Sequence, residues 1–233
     1  MATIHDTTMS PGKLQLLRAW LPAQPWYLTS GREPELAKSG GFRLDDPAGE
    51  VGIEFMVVSD ASPNRATTYQ VPLTYRAGPL AAAAAGALIG TADHGVLGRR
   101  WIYDGTHDPV LIAQLAALIQ GDAQPQAQSV SNTPDLTVIS YPVADGSLTV
   151  TGSAVAANGP SGTDLRIRTV SAGRTQNGQL LVRIHRILRP GDGAAAGEAG
   201  QPCLSATWRL ANGTQARGVF AAATYSQDTA APA

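Results

Sequence analysis

The chain has 233 residues, 43% of them hydrophobic and only 15% charged, with a formal net charge of -1. That length allows one large domain or two small ones around a real core, while the charge balance excludes a bulk drive toward nucleic acid or acidic membranes. The single cysteine, Cys203, excludes an intramolecular disulfide and reads as a small core hydrophobe in a reducing compartment.

The opening stretch MATIHDTTMS has neither the basic nor the apolar segment of a signal peptide. The run GPLAAAAAGALIG at 78–90 is too short and too rich in Ala and Gly to span a bilayer. A cytoplasmic location is therefore expected. The first predicted element is a short helix: Ser10 as N-cap, Pro11 in the first helical position, Leu14, Leu17 and Leu21 at helical spacing, and Pro22 ending it. Trp20, Trp26 and Tyr27 bracket its exit and read as packing anchors rather than a sugar platform.

Two alternating strands follow. Val51, Ile53, Phe55 and Val57 share one face, and Tyr69, Val71, Leu73 and Tyr75 share another, with loop chemistry (SDASPNRAT) between them. A second hairpin is expected around Asp93-His94-Gly95. The clearest helix comes next, DPVLIAQLAALIQG: Asp108 caps it, Pro109 opens it, and Gly121 supplies a left-handed C-terminal cap. Its stripe of Leu111, Ile112, Leu115, Leu118 and Ile119 should lie across the preceding sheet.

The polar segment around 124–134 reads as a linker. Beyond it only β-like runs are visible, at 136–141, 147–155, 165–170, 180–188, 204–210 and 218–225. The Gly/Ala-rich loop PGDGAAAGEAGQP is expected to be mobile and the tail from 227 to 233 to be disordered. The expected division is residues 1–123, a linker at 124–134, a β-rich module at 135–226, and that tail.

The usual signatures of site chemistry are missing from the sequence. It contains no Gly-rich phosphate loop followed by Lys-Ser or Lys-Thr. His5, His94, His107 and His185 lack metal spacing, so no metal and no cofactor are expected. In YDGTHDP, Asp108 is explained as a helix cap, and Asp104 and His107 as the turn that feeds it. The most cationic stretch is QLLVRIHRILRPG at 179–191. Its even positions are mostly apolar and face a core, which turns Arg183, His185 and Arg189 outward; Arg186 alone breaks the pattern. Arg166 and Arg168 form a similar face on a nearby run. These cations form either a solvated sheet face or a site for a sugar phosphate or nucleotide.

Taken in order, LLRAWLPAQPWYLTSGR, TYQVPLTYR, ALIG, RWIYDGTHDPV and the apolar helix resemble the N-terminal cap domain of actinobacterial maltokinases over residues 10–121. The motif positions are Trp20, Trp26, Tyr27, Trp101, Asp104, Asp108 and Pro109. One departure is Pro25, where that family tends to carry arginine. The resemblance implies an α+β fold: a cystatin-like cap, with helices packed on a curved antiparallel sheet, as the periodicity independently suggests. The small antiparallel β-rich module after it resembles the segment leading into the kinase N-lobe. LVRIHRILRPG resembles the phosphate-anchoring strand there, with Arg183 where lysine is expected, and arginine does not replace a point-charge ammonium.

No catalytic Asp loop or acidic metal ligands follow, so phosphotransfer is not expected. The chain is similar to stand-alone actinobacterial cap proteins that carry the name 1,4-α-glucan branching protein, although a true branching enzyme is a large barrel hydrolase with paired carboxylates. The expectation is a non-catalytic accessory protein of trehalose, maltose and α-glucan (glycogen) metabolism, with a protein partner from that pathway and no nucleic acid or membrane partner. The alternatives are a small-ligand binder using the basic strand face, or an enzyme such as a branching enzyme or part of a split sugar kinase.

Overall fold

A computed structural model describes residues 9–64, 66–81, 86–130, 132–142, 148–171, 177–191 and 200–227. His5, most of the Gly/Ala-rich loop, part of the alanine run and nearly all of the tail lie outside them. The first half comprises β1 (Met9–Ser10), α1 (Lys13–Trp20), β2 (Leu36–Leu44), β3 (Gly52–Asp60), β4 (Thr67–Arg76), β5 (Leu88–His94), β6 (Gly98–Asp104) and α2 (Pro109–Gln120). After it come β7 (Gln126–Ala127), β8 (Ile139–Tyr141), β9 (Leu148–Gly159), β10 (Gly162–Ser171), β11 (Asn177–Ile184), β12 (Ile187–Leu188), β13 (Cys203–Arg209) and β14 (Gln215–Gln227). Among the described residues the fold is mostly antiparallel sheet with two short α-helices.

All these strands belong to one sheet, ordered β1-β5-β6-β4-β3-β2-β13-β14-β11-β10-β9, with β12 added to β4, β7 to β2 and β8 to β13. The β3–β4 hairpin sets Val57 opposite Gln70 and Val58 opposite Tyr69. The two predicted apolar sets therefore lie on opposite faces. Val51, Ile53, Phe55 and Val57 join the core under α2, whereas Tyr69, Val71 and Leu73 join the core under α1. Both faces of β3 are buried because each is covered by a helix. At roughly 1.5 to 3 kcal/mol per buried large side chain, a one-residue slip is strongly disfavoured.

The second helix follows its pattern closely. The Asp108 side chain accepts from the Val110 amide, Pro109 opens the helix, and Gly121 closes it at φ 84°. The first helix does not. It starts at Lys13 with Gly12 as an uncapped N-cap, and Leu21–Ala23 continue it as a 3-10 turn. Ser10 cannot cap it because Met9 and Ser10 pair with His94 and Asp93 at the sheet edge. Strand β2 is absent from the sequence reading. Its LAKSGGFRL pattern is interrupted by a bulge between Lys38 and Gly40, and by Gly40 and Gly41 at φ 146° and 125°. A side chain at Gly41 would collide with the Phe55 carbonyl oxygen, so glycine is required where the strands close up.

The segment 124–134 changes the character of the chain without interrupting the core. Within it β7 pairs with β2, and Trp208 of β13 pairs with Gly40 of β2. Phe42 stacks on Phe55 at 4.7 Å and meets Phe220 at 6.0 Å, and Trp208 meets the other side of the same cluster. Helix α2 packs into this shared core with Leu165, Ile167, Leu180 and Val182 from the second half. No helix among the described residues is long and apolar enough to cross a membrane.

Candidate functional site

The cationic strand divides into an outer and an inner set. On β11, Leu180, Val182 and Ile184 are buried, Arg183 is exposed, and His185 just beyond the strand is half-buried. Strand β10 pairs with β11 so that Asp164 faces Arg183, Arg166 faces Leu181 and Arg168 faces Gln179. Arg166, Arg168 and Arg183 thus share one exposed face. The Arg183 guanidinium makes a bidentate pair with Asp164, at 2.6 and 2.7 Å. That pairing holds the Asp164 carboxyl below its ordinary range, through the hydrogen bond first and the charge second. His185 is pushed below the usual histidine range by burial and by Arg183, against the pull of Asp164. Arg189 is exposed at the end of β12. Arg183 already has its counter-charge, which leaves Arg166 and Arg168 as the cations of that face without a hydrogen bond from the guanidinium among the described residues.

Arg186 points the other way, and its side chain is fully buried. Between Ile184, opposite Ala221 of β14, and Ile187, opposite Tyr69 of β4, the chain leaves one partner strand for another. Arg186 sits at the crossing. It donates to Asp104 at 2.6 Å, to Thr106 at 3.0 Å and to Thr163 at 2.8 Å, and stacks over Trp26 at 4.9 Å. Its carbonyl accepts from the Gln70 amide, and the Gln70 side chain donates to the Phe220 carbonyl at 3.1 Å. Asp104 is therefore more than a turn residue: it accepts from Thr106 and is the counter-ion of a buried cation. A readable signal existed, since an even position on an otherwise apolar strand phase is a core position, and a cation there demands a buried acid.

The remaining motif residues are structural in placement. Trp20, Trp26 and Tyr27 are buried, with Trp20 and Trp26 at 5.8 Å and Tyr27 and Tyr69 at 5.3 Å. Trp101 is half-buried on β6. Asp108 takes a bidentate pair from Arg76 at 2.6 and 2.7 Å besides capping α2. Fully buried Asp60 accepts from Tyr27 at 2.6 Å and from the Glu35 and Ser62 amides. The same burial and bond push the Tyr27 hydroxyl up to about 12.

A cleft was not visible in the sequence. It lies between the first turn of α1 and strands β2 and β3, where Lys13, Lys38, Glu54 and Met56 line it. Glu54 is buried and accepts from Lys13 at 2.6 Å, from Gln128 at 2.6 Å and from the Tyr75 hydroxyl. Burial pushes its carboxyl up, but the Lys13 charge and these three hydrogen bonds outweigh it and hold it below the ordinary range. Asp60 is likewise held low: burial raises it, and its bonds to Tyr27, Ser62 and Glu35 prevail. A carboxyl with a folded pKa below its unfolded value stabilises the fold at neutral pH and loses that contribution as pH falls through the folded value. Thermal stability should accordingly hold steady above about pH 5 and fall below it. Glu54→Gln should be less stable at neutral pH and show a shallower acid slope in melts read by circular dichroism; an unchanged slope would refute the assignment. Among the described residues no three His, Cys, Asp or Glu side chains converge to hold a metal ion.

Residues 20–108 match the family model of the maltokinase N-terminal cap domain. The matched stretch runs from Trp20 through Asp108, and so includes Asp104 and every strand from β2 to β6. No curated protein matches the chain.

Proposed function

We propose that the protein is a non-catalytic accessory protein of maltose, trehalose and α-glucan metabolism, acting through a surface of its single sheet on an enzyme of that pathway. The observation that carries this reading is the cap-domain match over residues 20–108. How the chain uses the elements that resembled kinase machinery supports it. The arginine at the position of the anchoring lysine is engaged by Asp164, and Arg186 on the same run is consumed inside the core by Asp104. Both cations serve the fold, and Asp104 of the matched segment is tied by Arg186 to the strands beyond it.

The test is affinity capture of the tagged full chain from an extract of its native host, followed by mass spectrometry and reconstitution with the purified candidate. A specific complex with an enzyme of α-glucan, maltose or trehalose conversion is expected, together with no turnover by the chain alone of maltose plus ATP or of amylose. Recovery of no such enzyme, or phosphorylation of maltose or branching of amylose by the isolated protein, would overturn it.

A further inference from the structure

From the α1–β2–β3 cleft we propose a binding site for a small oxyanion, a phosphate or carboxylate group carried by a small molecule, with Lys38 as its principal ligand. The cleft has a volume of about 390 Å³ and is lined by Lys13, Leu14, Gln15, Lys38, Glu54 and Met56. That size accommodates a small ligand rather than a lone water.

The charges in it are unequal. Lys13 and Glu54 neutralise each other at 2.6 Å, and Tyr75 and Gln128 occupy the remaining acceptor capacity of Glu54. Lys13 also lies 5.2 Å over the Tyr75 ring. Lys38 has no such partner: its ammonium makes no hydrogen bond or ion pair among the described residues. Two ammonium groups against one saturated carboxylate leave the cleft positive. Although Lys38 is exposed, the protein around it desolvates its ammonium enough to push it below the ordinary lysine range; Glu54 pulls it back, and Lys13 adds to the depression. Among the described residues no carboxylate pairs directly with that cation, and Glu54 cannot do so without giving up Lys13.

The surroundings favour an external anion. The wall of the cleft is the first turn of α1, which carries neither an acidic residue nor a side-chain cap; its field has the same sign as the lysines. Met56 and Leu14 supply an apolar surface for the ligand's uncharged part. Lys38, a flexible point charge, suits phosphate and carboxylate alike. The site is separate from the exposed arginines of β10 and β11 and does not depend on the accessory-protein reading.

Backbone amide shifts of the isotope-labelled full chain would test the assignment, with inorganic phosphate, acetate and neutral glycerol titrated at constant chloride. Saturable shifts at Leu14, Gln15 and Met56 are expected with phosphate or acetate, and whichever binds more tightly identifies the oxyanion. Lys38→Gln should weaken that binding at least tenfold, and Arg183→Ala should leave it unchanged. Lys38 is exposed and its ammonium makes no hydrogen bond among the described residues, so its variant should melt as the parent does. Unsaturable drift with both anions, equal shifts with glycerol, or undiminished affinity in Lys38→Gln would overturn the proposal.

Discussion

Arg186→Met should lower the unfolding free energy by about 3 to 5 kcal/mol, because it leaves the buried Asp104 carboxylate without its counter-ion. Methionine fills much of the same volume, so the loss measures the stranded charge more than a cavity. Asp104→Leu should also destabilise, by leaving the guanidinium inside the fold without a carboxylate. The double variant Arg186→Met/Asp104→Leu should recover a large part of either loss, since removing both charges removes the desolvation cost of both. Equilibrium denaturation of the four proteins closes the cycle. A loss below about 1 kcal/mol for either single variant, on the scale of an exposed pair, would show that the pair does not hold the junction between the two halves of the chain.

Phe220→Ala should cost about 3 to 5 kcal/mol, the usual range for a fully buried phenylalanine. Its ring lies 6.0 Å from both Phe42 of the first half and Trp208 of the second. The cavity it leaves therefore opens both sides of the 124–134 segment together. The diagnostic is cooperativity as much as magnitude. Tryptophan fluorescence samples Trp20, Trp26 and Trp101 before that segment and Trp208 after it, while circular dichroism samples the whole sheet. In parent and variant, the two signals should trace one coincident transition. Two separated transitions, with only the later one shifted by Phe220→Ala, would mean that the halves fold as independent domains.

Both predictions concern the junction between the two halves of the chain, where the sequence is least legible. Strands with strict alternation were readable, because period-2 burial is a local property of one strand. So was α2, whose cap, opening proline, apolar stripe and closing glycine all lie within fourteen consecutive residues. Strand β2 was hidden because its two glycines and its bulge serve contacts with Phe55 and Trp208, residues distant in the chain. The start of α1 differs from its capping signal because Ser10 is taken by the sheet edge at Asp93. Local capping preference lost to a long-range backbone pairing.

The candidate sites divide in the same way. The outward set of Arg166, Arg168 and Arg183 could be placed on one face from alternation and an assumed pairing, but that Asp164 lies opposite Arg183 is a matter of register. Arg186 stood out as a charge in an apolar phase, and the sequence carried its partner in YDGTHDP, 82 positions away. Nothing local joins the two. The cleft formed by Lys13, Lys38 and Glu54 draws on α1, β2 and β3, and no motif spans that combination.

Neighbouring residues alone specify the apolar set of each alternating strand and where the second helix begins and ends. The sequence also carried the resemblance of the first half to the maltokinase cap, since periodicity, caps and motif order are properties of neighbouring residues. The folded arrangement settles that Arg186 is an internal ion rather than a surface one, that Arg183 has its own carboxylate, and that Lys38 pairs with none among the described residues. A charge's role depends on which opposite charge comes within a few ångströms of it. In an antiparallel sheet that is set by strand order and register between segments far apart in the chain.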